Sequence, residues 1–127
     1  MFVKAMNERT TGIYTTTLED ETGAPIPLAL ISTLELWLYN VKTAAIINSR
    51  GVMGGAGQDV KNNNNVTIHA TSGLLTWQLQ TLDNVIVQDF RTTEEHRAVF
   101  RAVCLGSYPI VTHQFVLMVT NLKPVVV

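Results

Sequence analysis

The side chains able to move protons or hold a metal in this 127-residue chain are few: His69, His96 and His113, the carboxylates Asp20, Asp59, Asp83, Asp89, Glu94 and Glu95, and one thiol, Cys104. Their spacing builds no known catalytic arrangement. A helical zinc site needs histidines one turn apart, and no His-x-x-x-His pair is present. A serine nucleophile on a strand-to-helix elbow needs Gly-x-Ser-x-Gly, which is also missing. Gly51, Gly54, Gly55 and Gly57 do not lead into the Lys-Ser/Thr that a phosphate cradle requires. His113 alternates with Phe115 and Leu117 and so reads as a core or interface histidine, His69 falls on the polar face of its strand, and Glu94, Glu95 and His96 fall in a polar bend. A single cysteine excludes an intrachain disulfide and a thiolate zinc cluster, and Cys104 reads as a small buried hydrophobe. No enzymatic activity, cofactor or metal is expected.

Composition narrows the partners. The chain is 46% hydrophobic, 15% charged and carries a formal charge of −1, with nine basic residues spread along it, which gives no electrostatic case for a nucleic-acid partner. The charged share is low against the usual quarter or so, which implies either a large core or a surface covered by other subunits. No apolar run approaches the ~18 residues of a membrane span. Residues 1–11 lack the apolar centre of a signal peptide, so the chain is expected to be made in a cytoplasm.

The elements that must position these groups are strands. Residues 66–79 read as a hairpin, with Val66, Ile68 and Ala70 on one face, a Thr71-Ser72-Gly73 turn, then Leu75, Trp77 and Leu79 on the inward face. Trp77 is the expected centre of the core. Residues 12–19 alternate as a strand and 20–25 carry turn chemistry; 26–31 are apolar but interrupted by Pro27. Residues 33–41 put Leu34, Leu36 and Leu38 inward and Trp37 and Tyr39 outward as a candidate contact pair, and 45–48 form a short returning strand.

Residues 49–65, with four glycines and four consecutive asparagines, are expected to be a long functional or mobile loop. Residues 81–90 have helical spacing, with an N-cap at Thr81 or Asp83. After a bend at 91–96, residues 97–104 alternate again, and 111–122 form the longest strand, apolar on both faces and therefore covered on both. One domain is expected over residues 12–122, an all-β, two-sheet sandwich of immunoglobulin-like type, with a jelly roll as the alternative. It is flanked by an N-terminal arm, 1–11, and a tail, 123–127. Phe2, Val3 and Met6 in the arm and Val125, Val126 and Val127 in the tail are expected, with Trp37 and Tyr39, to make contacts with other subunits.

Three stretches carry a resemblance: YTTTLEDETGAPIPLALISTLELWLYN (14–40), AAIINSR (44–50) and NNVTIHATSGLLTWQLQTLDNVIV (64–87), continued by EEHRAVF (94–100) and a closing strand ending in TNL (120–122). Taken in this order they resemble the small immunoglobulin-like virion proteins of tailed bacteriophages, including the N-terminal domain of baseplate upper proteins. The resemblance implies a non-enzymatic virion component, present in many copies or as a homo-oligomer. Its partners would be major capsid, neck or tail proteins. Ending at Val127 rather than continuing into further domains points the expectation to a capsid decoration (cement) or neck protein. The alternatives are a tail or baseplate subunit, or a module that offers the 49–65 loop to a host-surface glycan.

Overall fold

The computed structural model describes residues 2–7, 9, 11–87, 92–106 and 110–121, with side chains from residue 5 onward. The described strands are β1 (Phe2–Asn7), β2 (Ile13–Thr17), β3 (Ile31–Asn40), β4 (Gln58–Asp59), β5 (Val66–Ile68), β6 (Leu74–Gln78), β7 (Thr93–Cys104) and β8 (Val111–Thr120). They form a five-stranded sheet, β1-β8-β7-β3-β4, and a three-stranded sheet, β2-β6-β5. The two close on one apolar core: the fold is an all-β two-sheet sandwich. The strand order is that of immunoglobulin-like domains, with β2-β6-β5 standing where strands B, E and D stand and β3-β7-β8 where C, F and G stand.

Period-two patterning explains the two long inner strands. Leu34, Leu36 and Leu38 of β3 and Ala98, Phe100 and Ala102 of β7 are all fully buried, facing Leu75 and Trp77 of β6. Trp77 has no exposed surface and meets Phe100 and Phe115 edge-on, with centroids 5.6 and 5.8 Å away. The hairpin over 66–79 forms as its sequence implies, except that Ala70 is exposed. Gly73 turns it with φ +69°, and a Cβ there would lie 2.7 Å from the Ile26 carbonyl oxygen. Gly73→Ala therefore meets both a left-handed backbone and a fixed carbonyl, and is expected to cost about 1–3 kcal/mol in chemical denaturation.

Several expectations need correction. The N-terminal segment is not a separate arm: β1 pairs in parallel with β8 from Phe2↔Phe115 to Asn7↔Thr120 and forms one edge of the larger sheet. The irregular pattern of residues 1–11 hid this because an edge strand needs only a neighbour's backbone to pair with, not a clean apolar face of its own. The returning strand at 45–48 reduces to a single bridge, Tyr39↔Ile46. Of the expected helical stretch, the described residues 81–87 hold one short 3-10 helix, Thr81–Asn84, capped at Gln80 rather than at Thr81 or Asp83, and Leu82 is exposed. Residues 93–96 of the expected polar bend are the start of β7, which at 12 residues is longer than the 10-residue β8; Glu94 and His96 point inward, continuing the face of Ala98. Residues 123–127, with Val125, Val126 and Val127, lie outside the described residues.

Candidate interaction surface

The loop expected to be functional or mobile is folded back onto the sheet. Its anchor is Arg50, buried to 1% exposure, whose Nε and Nη2 donate to the two carboxylate oxygens of Asp83 at 2.5 and 3.1 Å. Nη1 donates to Gln58 Oε1 and to the Asn64 carbonyl. Asp83 in turn accepts the Asn48 amide and the Gln80 backbone N–H, which is one half of a capping box at the 3-10 helix. The guanidinium lies 5.2 Å from the Trp77 ring centroid. One bidentate ion pair thus ties the loop, β4 and the 3-10 helix to the centre of the core, and its donors and acceptors are paired as a buried charge requires.

The asparagine run is turn chemistry. Asn62, Asn64 and Asn65 adopt positive φ, Asn62 Oδ1 accepts the Ile68 N–H, and the Asn64 amide donates to the Asp59 carbonyl. Further back, Gly51 and Gly57 lie against Trp37, where a Cβ on either would come within 2.8 and 3.1 Å of the indole, and Trp37 Nε1 donates to the Val52 carbonyl. Trp37 and Tyr39 are therefore not one free contact pair: the Trp37 ring is the platform for the loop. What the loop presents outward is its tip, where Val52 and Met53 are 61% and 44% exposed.

The outer face of the five-stranded sheet carries further apolar groups, half-buried at Tyr39, Val99 and Met118. Register places Tyr39, Arg97 and Val116 in one row, Trp37, Val99 and Gln114 in the next, and Glu35, Arg101 and Thr112 beyond it. Arg101 pairs with Glu35 at 2.9 Å and Arg97 lies 3.7 Å from Glu95, and Arg97 stands between Tyr39 and Val116, so the face is a mixed band in which paired charges alternate with Tyr39, Val99, Val116 and Met118. Val116 is only 5% exposed although it points away from the core, but Thr112, Gln114 and Thr120 share its face, so β8 is apolar outward only at Val116 and Met118 and not along its whole length as expected. Beyond the band, a cleft of about 300 Å³ is lined by Asn40, Val41, Lys42, Thr93, Glu94, Glu95 and Met118. Of the expected contact residues, Met6 is half-buried against the core. The side chains of Phe2 and Val3 lie outside the described residues, as does Asp89.

The titratable groups are dispersed. His69 is exposed, and its Nδ1 accepts backbone N–H groups of Thr71 and Ser72 in the hairpin turn. Asp20 Oδ1 accepts three donors from Thr22 and Ala24 and organises its own turn. Asp59 Oδ1 accepts the Lys61 N–H. Burial pushes the Cys104 thiol up, against the thiolate form a nucleophile needs. Among the described residues no group of three or more His, Cys, Asp or Glu side chains converges on a common point.

Two histidines do report on stability. His96 is fully buried and its Nε2 donates to Glu94 Oε1 at 2.7 Å, while that oxygen also accepts the Val87 N–H. His113 Nε2 accepts the Tyr14 hydroxyl at 2.5 Å, across the gap between the sheets. Burial lowers both pKa values below the ordinary value near 6.5, for His96 against the opposing pull of Glu94. Above that value both states are neutral at these positions and no proton difference exists. Below it the unfolded chain takes up protons that the folded chain refuses, so stability falls as pH falls. Urea midpoints between pH 7.5 and 5 are expected to decline, and His113→Gln, which retains an acceptor for Tyr14, is expected to flatten the decline.

No protein-family model, curated protein or solved structure matches this chain.

Proposed function

We propose that the chain is a non-enzymatic structural subunit of a tailed-phage virion, a capsid decoration or neck protein that stabilises the particle through subunit contacts. The observation that carries this reading is the outer face of the five-stranded sheet. There the half-buried Tyr39, Val99 and Met118 and the buried Val116 alternate with the Glu35–Arg101 and Glu95–Arg97 pairs, a mixture of apolar groups and paired charges of the kind that subunit interfaces cover. The low charged share and the resemblance of residues 14–122 to immunoglobulin-like virion proteins support the same reading. Many copies, each covering on the order of 1,000 Å² or more, add up to a large stabilisation with no catalysis.

The glycan-binding alternative draws no support from the loop. The side-chain oxygen of Asn62 and the side-chain nitrogen of Asn64 are engaged within the turn, and Arg50 is buried. The test is rebinding. Particles from a phage deleted for this gene should take up the purified chain to saturation, and a Val99→Asp variant with an unchanged thermal transition should fail to bind. Equal binding by the variant would rule this face out as the attachment surface.

A further inference from the structure

β1 occupies a peculiar place in the sandwich. It is next to β2 in sequence, yet the two strands lie in different sheets, and only residues 8–12 join them. Its pairing partner is β8, the last described strand, to which it runs parallel. Of its described side chains, Ala5 and Asn7 are exposed and only Met6 packs, half-buried, against the core. The other strands longer than two residues each place at least one buried apolar side chain there. Over residues 5–7, the part whose side chains are described, β1 is thus held mainly by its backbone ladder to β8.

Without β1, β8 would be an open edge with buried-type residues on both faces, Val116 on one and Phe115, Leu117 and Val119 on the other. Such an edge binds any strand of matching register. We infer that β1 is an exchangeable strand that docks on β8 of a second copy of this chain, linking neighbouring subunits by reciprocal or head-to-tail strand exchange. Exchange remakes the same ladder between two molecules that it breaks within one, so contact energy is conserved. The balance is then set by effective concentration, which an array of adjacent copies supplies. Five linking residues reach at most about 18 Å, so the acceptor is a copy in direct contact. The inference rests on the proposed multi-copy role, but its test uses purified protein and fails independently of that role.

Ala5 and Met118 are Cα partners across the ladder. In a Cys104→Ser background, Ala5→Cys and Met118→Cys are made as separate full-length chains, and as a double variant that checks the register through an intrachain disulfide. Mixed at high concentration and oxidised, the two single variants should give a 5–118 interchain disulfide, mapped by mass spectrometry. Its yield should rise with concentration. If the double variant closes within one chain while the mixture gives no 5–118 linkage, β1 stays at home and the inference is overturned. A mixture that gives 5–5 linkages alone would overturn it in favour of pairing between free edges, and a double variant that never closes would overturn the register on which it depends. Exchange in solution by a chain absent from particles would leave this inference standing and remove the virion role.

Discussion

Asp83→Ala is expected to lower the unfolding midpoint by roughly 10–20 °C. Removing one partner of a buried ion pair typically costs about 3–5 kcal/mol, and each kcal/mol is worth roughly 3–5 °C in a domain of this size. Here the loss strands the guanidinium of Arg50, which keeps Gln58 Oε1 and the Asn64 carbonyl but loses both carboxylate bonds. It also removes the acceptor for the Gln80 N–H and the Asn48 amide, releasing the 3-10 helix along with the loop. The paired replacement Arg50→Met with Asp83→Leu puts apolar volume where two charges stood, and should recover a large part of that loss. A double variant less stable than either single one would show that the network's worth lies elsewhere, in the turn it organises.

The second large effect is expected from Trp77→Ala. Trp77 has no exposed surface and stands between Phe100, Phe115 and the Arg50 guanidinium. Truncation removes the transfer free energy of the ring and leaves a cavity that two sheets cannot close, for a cost of about 3–5 kcal/mol. Because Arg50 loses its aromatic cover at the same time, Trp77→Ala and Asp83→Ala should not add; their double-mutant cycle should give a coupling of about 0.5–3 kcal/mol. Strict additivity by denaturant titration would mean that ring and ion pair act independently.

What could be read from residues alone was what period two encodes. The inward leucines of β3, the Trp77 hairpin and the alternating stretch from Ala98 to Ala102 each repeat over several positions, and one buried face is enough to set the strand. Three features escaped because no local period marks them. β1 is specified by the free edge of β8, more than a hundred residues away in sequence. Glu94 and His96 read as a bend because they are polar, but Glu94 accepts the His96 Nε2–H, so β7 runs inward through them. The partnership of Arg50 with Asp83 joins two of the segments that carried the phage resemblance, 44–50 and 64–87. An arginine in a Gly- and Asn-rich stretch looks solvated until its partner's position is known. Trp37 was placed correctly on the outer face, but the glycines that let the loop lie on it looked like signs of mobility rather than of close approach.

The central claim, that this chain is a repeated part of a phage particle, is tested most directly by counting it there. Particles of the phage that encodes the chain, purified by density gradient, would be analysed by gel and quantitative mass spectrometry against the major capsid protein. The account predicts a 14.0 kDa component at a fixed multi-copy ratio that survives repeated gradients. Intact, infectious particles that lack this chain would contradict it.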